Sequence, residues 1–154
     1  MVAVLQRIKN ATVYADGELS GSVGHGLYIL LGVEKGDEKK DAELLSEKIS
    51  KLRIFCDEND KMNLSVTDVD GEALVVSNFT LSANYAHGNR PDYFAAAAPD
   101  MANELYEYFV SLLALKVKKV DTGRFGAHMN TEMTTDGPVT IVMSSEVLKK
   151  GKKA

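Results

Sequence analysis

The chain has 154 residues, 45% of them hydrophobic and 26% charged, with a formal net charge of −4 at pH 7. Length and balance predict one globular domain around one core, and no apolar run approaches the ~20 residues of a membrane span. The acidic balance argues against broad nucleic-acid binding, so no DNA partner is expected, but it leaves room for a local basic patch.

Residues Met1 to Ala15 read as strand, a short break at Lys9-Asn10, then strand again. No basic region precedes an apolar block, so the start is not a signal peptide and a cytoplasmic location is expected. Val2, Val4, Gln6 and Ile8 fall on one face, with Ala3, Leu5 and Arg7 on the other. A guanidinium on that apolar second face needs partners. Asp16-Gly17 makes a turn. The stretch Gly21 to Gly26 resembles a phosphate loop, but it leads into the apolar run Leu27 to Val33, a strand. Phosphate binding of that kind needs a helix N-terminus, so it is rejected.

A helix follows over roughly Lys40 to Leu52, with Ala42, Leu45, Ile49 and Leu52 as its apolar stripe. Leu52 to Phe55 reads as a short strand. Cys56 is the only cysteine, which excludes an internal disulfide and any multi-cysteine metal site. Glu72 to Leu81 starts as a buried strand and turns polar at Ser77-Asn78. Asp100 is placed to cap a second helix whose stripe is Met101, Leu105, Phe109 and Leu112. Strands are expected around Val117–Val120, Ala127–Thr134 and Val139–Ser144. Between the last two lies Asp136-Gly137-Pro138, a turn signal whose proline removes a backbone donor and restricts Gly137. The fold class is therefore α+β: a curved, mostly antiparallel, barrel-like sheet with two packed helices. Residues 1–148 form the domain, and 149–154 are a solubilising Lys-rich tail.

The familiar catalytic constellations are missing. There is no Gly-x-Ser-x-Gly elbow, and His25, His87 and His128 are far apart with no ligand spacing, so no metal or cofactor is expected. Asp57, Asp60, Asp68 and Asp70 fail the calcium-loop spacing.

The order of short motifs goes further. Gln6-Arg7, Leu52-Arg53-Ile54-Phe55 with Met62-Asn63, Ser77-Asn78-Phe79-Thr80-Leu81, Gly88-Asn89-Arg90-Pro91, Thr122 to Ala127 and Gly137-Pro138-Val139-Thr140 follow one another along the chain. Together they resemble the D-aminoacyl-tRNA deacylase family over essentially the whole length. Asn78 stands where that family usually has Gln, and Asp92-Tyr93 where it commonly has Ser-Phe.

The resemblance implies an enzyme that hydrolyses the ester joining a D-amino acid to the 3′ end of tRNA, without a cofactor. It implies a homodimer in which Gly137-Pro138, joined by a cis bond, reaches into the partner's site. There its two carbonyls grip the substrate's α-ammonium, and the main chain fills the space an L side chain needs. Arg7 fixes those carbonyls, and Asn78 contacts substrate. Ser77, Phe79 and Thr80 form the catalytic motif, with Ser77 a hydrogen-bonding scaffold. A wall that rejects a side chain does not reject glycine, so glycyl-tRNA is an expected substrate. Thr80 is the one candidate nucleophile, yet no His or Lys is evidently placed to activate it. The favoured alternative has the main chain at Phe79-Thr80 stabilise the oxyanion while the tRNA's 2′-hydroxyl activates water. Lys116, Lys118 and Lys119 are the expected acceptor-stem contacts. Two rivals stand beside this reading: a sister deacylase with a trans Gly-Pro bond that clears small L-amino acids, and a non-catalytic tRNA-binding module.

Overall fold

The computed structural model describes residues 1–151. Its axis is β1 (Val2–Ala15), a strand long enough to take different partners along its two halves. The first half pairs antiparallel with β3 (Gly26–Gly32) and the second with β2 (Glu18–Val23). Along its other edge β1 pairs antiparallel with β8 (Met129–Ser144). Beyond β3 lie β6 (Glu72–Ser77) and β7 (Val120–Thr122), both joined in parallel. The pair β4 (Phe55–Cys56) and β5 (Met62–Leu64) stands apart as a small hairpin. β7 returns beside β2, where Ser20 Oγ donates to the Thr122 carbonyl at 2.9 Å and the Ser22 amide to Asp121 Oδ2 at 2.8 Å. The sheet is therefore barrel-like and nearly closed.

The α+β class and the curved sheet match expectation, with two corrections. The sheet is mixed, because the long connection carrying α1 (Lys39–Lys51) lets β6 run parallel to β3. There are three helices among the described residues and not two: besides α1 and α2 (Pro99–Ala114), α3 spans Ser145–Gly151. Seven residues are too few to show an amphipathic stripe, so the pattern concealed it. Lys149 and Lys150, expected in a tail, belong to α3; Lys152 and Lys153 lie outside the described residues.

The larger core lies between one sheet face and the helices. Ala3, Leu5, Leu27, Ile29, Leu31, Ala73 and Val75 meet Ala42, Leu45 and Ile49 of α1 and Leu105, Phe109 and Leu113 of α2. The α1 stripe is as expected. On α2 it is rotated: Met101 is 42% exposed, and Tyr106 and Leu113 are buried. Asp100 does not cap that helix; Ala98 holds the cap position and Pro99 the first turn, where a missing N–H costs nothing. Phe109 is fully buried, so truncating it to Ala costs about 3–5 kcal/mol.

A smaller core on the opposite face gathers Ile8, Ala11, Val13, Val23, Tyr28, Leu74 and Val76. The buried phase of β1 switches from Ile8 to Ala11 across exposed Lys9 and Asn10. The expected break there is a register shift inside one continuous strand.

One polar cluster ties the ends of the domain together. The Met1 ammonium, fully buried, donates to Asp37 Oδ1 at 2.6 Å and to Ser145 Oγ at 3.0 Å. Ser145 Oγ donates in turn to Asp41 Oδ1 at 2.5 Å, which also lies 2.7 Å from Lys149 Nζ. These bonds pin the start of β1 and the start of α3 to the first turn of α1.

Candidate active site

The Ser77-Asn78-Phe79-Thr80 run sits where β6 ends and a 3-10 turn (Phe79–Ser82) begins. The Asn78 amide still donates to the Leu31 carbonyl at 2.8 Å, so the motif leaves the sheet from a fixed point. Asn78 Oδ1 then accepts from the Thr80 amide at 3.2 Å and from Thr80 Oγ1 at 2.5 Å, capping the turn. The Phe79 amide has no partner among the described residues. Its ring is 59% exposed and meets Tyr93 edge-on, with centroids 5.1 Å apart.

This motif forms the lip of a cleft of about 800 Å3. The floor is the outer face of the sheet, with Tyr28, Leu30, Val76 and Met129. One wall is the segment before α2, Tyr93 to Pro99, and the other is Phe125-Gly126-Ala127. Ser77, Asn78 and Phe79 line it, and Lys35 is the one charged residue that does among the described residues. Among the described residues no carboxylate, histidine or cysteine lines the cleft, so neither a carboxylate nor an imidazole is at hand there as general base. Among the described residues no group of three or more His, Cys, Asp or Glu is placed to hold a metal ion, and no helix is long and apolar enough to cross a membrane.

Gly137 and Pro138 lie elsewhere. The expected turn is not a turn: β8 runs through it, and both its halves pair with β1. Gln6 pairs with Thr140 and Ile8 with Thr135, so the four residues Asp136 to Val139 oppose Arg7 alone. The segment bulges out of the sheet, with Gly137 and Pro138 exposed and joined by a cis peptide bond. Neither lines the cleft of its own chain. Arg7 is buried beneath the bulge. Its Nε donates to the Asp136 carbonyl at 3.0 Å, and one terminal nitrogen donates to the Ile54 carbonyl at 2.8 Å. The carbonyl it holds is thus that of Asp136, one residue ahead of the pair it was expected to fix.

The profile of the family described as D-Tyr-tRNA(Tyr) deacylase matches residues 4–144. The chain belongs to this family. It is 51% identical over 146 residues to the D-aminoacyl-tRNA deacylase of Thermosipho africanus (strain TCF52B), covering 95% of this chain and 98% of the relative. It is 48% identical over 153 residues to that of Dictyoglomus turgidum (strain DSM 6724 / Z-1310), covering 99% and 98%. Among solved structures it is similar to one titled c-Myc DNA Unwinding Element Binding Protein, with 37% identity, a TM-score of 0.88, and 94% and 98% of the two chains covered.

Within the deacylase fold the expected site residues divide into three places. Ser77, Asn78 and Phe79 line the cleft and Thr80 adjoins them, while Arg7, Gly137 and Pro138 form the bulge. The Ser77 hydroxyl makes no hydrogen bond among the described residues, and the side chain that caps the turn is the Asn78 carboxamide. Lys116, Lys118 and Lys119 line neither cleft wall. They lie within salt-bridge distance of Glu47, Asp70 and Asp121, at 3.0, 3.2 and 3.7 Å. Sequence reasoning missed Lys35, Phe94 and the Ala96–Ala98 wall. The run of four alanines ahead of Pro99 is the one mark that could have flagged that wall, since small residues let a ligand approach the backbone.

Proposed function

We propose that this protein hydrolyses the ester of D-aminoacyl-tRNA, releasing tRNA and the D-amino acid, and so removes D-amino acids before they reach translation. The observation that carries this reading is the Ser77–Thr80 motif at the lip of an apolar cleft that offers an ester carbonyl main-chain and amide donors but, among the described residues, no carboxylate or imidazole base. Such a site stabilises charge and leaves proton transfer to the substrate. The Thr80 N–H is already engaged by Asn78, so the Phe79 N–H is the free main-chain donor of the motif. The adjacent 2′-hydroxyl of the terminal ribose then activates the attacking water.

The enzyme works as a homodimer. The Gly137-Pro138 bulge stands clear of its own cleft, on an edge strand that leaves Val142 76% exposed, and a second copy brings it to the partner's cleft. Its carbonyls there receive the α-ammonium and its main chain excludes an L side chain. Selection by exclusion passes glycine, so glycyl-tRNA is cleaved too.

Incubating substoichiometric enzyme with D-tyrosyl-, glycyl-, L-alanyl- and L-tyrosyl-tRNA tests the reading. Release from the first two alone is expected. Intact glycyl-tRNA would show that the pocket selects by attraction, turnover of L-alanyl-tRNA in place of D-tyrosyl-tRNA would indicate a small-L-amino-acid deacylase, and no turnover at all would leave a binding module. Analytical ultracentrifugation checks the dimer.

A further inference from the structure

The cleft wall ahead of α2 continues outward as a structured ledge. An isolated bridge between Glu34 and Ala96 fixes its inner end, where the Lys35 amide donates to the Ala95 carbonyl at 2.8 Å. A second bridge, Asn84 to Asp92, closes its outer end into a loop through reciprocal main-chain bonds of 2.8 and 3.0 Å. Side chains stiffen the neck of that loop. Asn84 Nδ2 donates to Asp92 Oδ2 at 3.0 Å, the Ala86 amide to Asn84 Oδ1 at 3.1 Å, and the Phe94 amide to Asp92 Oδ1 at 3.2 Å. The polar groups of the neck are thus engaged within the loop itself.

What the ledge presents to solvent is aromatic and cationic. Tyr85 is 80% exposed and Phe94 77%. Lys35 and Arg90 are exposed and form no salt bridge among the described residues, whereas Lys116, Lys118 and Lys119 all do. Asp92 is the one carboxylate between Ser82 and Pro99, and both its oxygens are held in the neck. Bare rings beside uncompensated cations add nothing to the fold. They are the pattern by which single-stranded nucleic acid is held, with bases on the rings and phosphates on the cations.

We propose that this ledge seats the unpaired nucleotides that precede the terminal adenosine of tRNA, with a base stacked on Tyr85 and phosphates on Arg90 and Lys35. The inference rests on the deacylase reading and deepens it, extending the substrate contact beyond the ester. With the ester at the Ser77–Thr80 lip, the preceding nucleotides leave by the cleft mouth. Lys35 and Phe94 line that cleft and are continuous with the loop. Tyr85 and Arg90 do not line it, so only a substrate long enough to reach them feels their contribution. Every base has a face that stacks, so the ledge selects an unpaired strand and not a sequence.

The test compares D-tyrosyl-tRNA with D-tyrosyl-adenosine, which carries the same ester and no preceding nucleotide. Wild type, Tyr85→Ala, Tyr85→Phe and Arg90→Ala are assayed on both, with sedimentation of each protein. Wild type should prefer the tRNA in kcat/KM, and Tyr85→Ala and Arg90→Ala should each cut that preference about 10-fold through KM. Tyr85→Phe should keep it, since the ring and not the hydroxyl stacks. Arg90→Ala should also lower the salt slope of kcat/KM for the tRNA by about 0.7, the share of one single-strand phosphate. Equal losses on both substrates would overturn the inference, as would an unchanged preference in both alanine variants. Dissociation of the protein by Tyr85→Ala would also overturn it and make the ledge a contact between subunits. A wild type inert toward both esters is a separate result, sinking the deacylase reading first and this inference with it.

Discussion

Arg7 and Asp136 meet twice: the Arg7 Nε–H lies 3.0 Å from the Asp136 carbonyl and 3.2 Å from its carboxylate. One buried side chain on the central strand thereby sets where the β8 bulge begins, and its other branch ties that point to Ile54. Arg7→Met keeps the packing of the stem but leaves two carbonyls short of a donor. Each such loss costs about 1–3 kcal/mol when buried, so urea unfolding should show a drop of about 2 kcal/mol or more. Deacylation should fall further than that instability explains. Arg7→Lys should not restore it, since one ammonium cannot serve both carbonyls along diverging directions.

Gly137 has a φ of +155°, and a Cβ there would run into the Val139 amide nitrogen. Gly137→Ala must therefore shift the backbone of the bulge. Because the residue is exposed, the cost to stability should be modest, about 1–3 kcal/mol. The cost to D-tyrosyl-tRNA turnover should be larger, at least 10-fold, since a carbonyl displaced by an ångström no longer meets its target. Normal turnover in a folded Gly137→Ala would count against a role for the bulge.

The Met1 ammonium is fully buried and its carboxylate partner Asp37 nearly so. Asp37→Ala removes that partner and also the acceptor for the Glu34 amide, bonded at 2.6 Å. Only Glu34, 3.9 Å away and partly exposed, then remains beside the ammonium, and so weakly compensated a buried charge costs about 3 kcal/mol, measurable by denaturant unfolding. Activity per folded molecule should be unchanged, because the cluster lies among α1, α3 and the start of β1.

Asp41 gives the domain a pH dependence. Burial alone would raise its carboxyl, but hydrogen bonds from Lys149, Ser145 and the Glu38 segment outweigh it and hold it below its ordinary value. The same contact, chiefly the bond to Asp41, pushes the Lys149 ammonium up. A depressed carboxyl contributes stability that is present above its unfolded pKa of about 3.9 and is lost as pH falls through the folded value. Asp41→Asn should therefore be less stable at pH 7 and lose less on acidification below about pH 4 than wild type does. The raised Lys149 makes its own contribution below its unfolded value of about 10.4, so this part fades only in strong alkali. Thermal unfolding from pH 2 to pH 7 checks the acid arm.

Lys118 and Lys119 pair with Asp70 and Asp121 while half-exposed. Surface pairs of this kind are worth little, so a tRNA phosphate can displace the carboxylate. If these lysines meet the acceptor stem, Lys118→Ala and Lys119→Ala should each lower the salt slope of tRNA binding by about one. Unchanged slopes would move the RNA footprint elsewhere, with Lys35 at the cleft the next charge to replace.

The sequence alone determined the class of the domain, the α1 stripe, most strands and the order of motifs that marks the family. These are local properties: period, turn chemistry and residue identity survive being read one position at a time. It also singled out Arg7, since a guanidinium on an apolar face demands partners wherever they lie. What it misread were pairings. Asp136-Gly137-Pro138 carries every sign of a turn, yet both flanks pair with β1, and only that partner's register reveals a bulge opposite Arg7. Likewise Asn78 and Thr80 are two residues apart in any conformation, but which of them faces the cleft depends on the Asn78 amide being tied to Leu31 across the sheet. Register and facing are set by contacts between distant segments, and no stretch of chain contains its own partner.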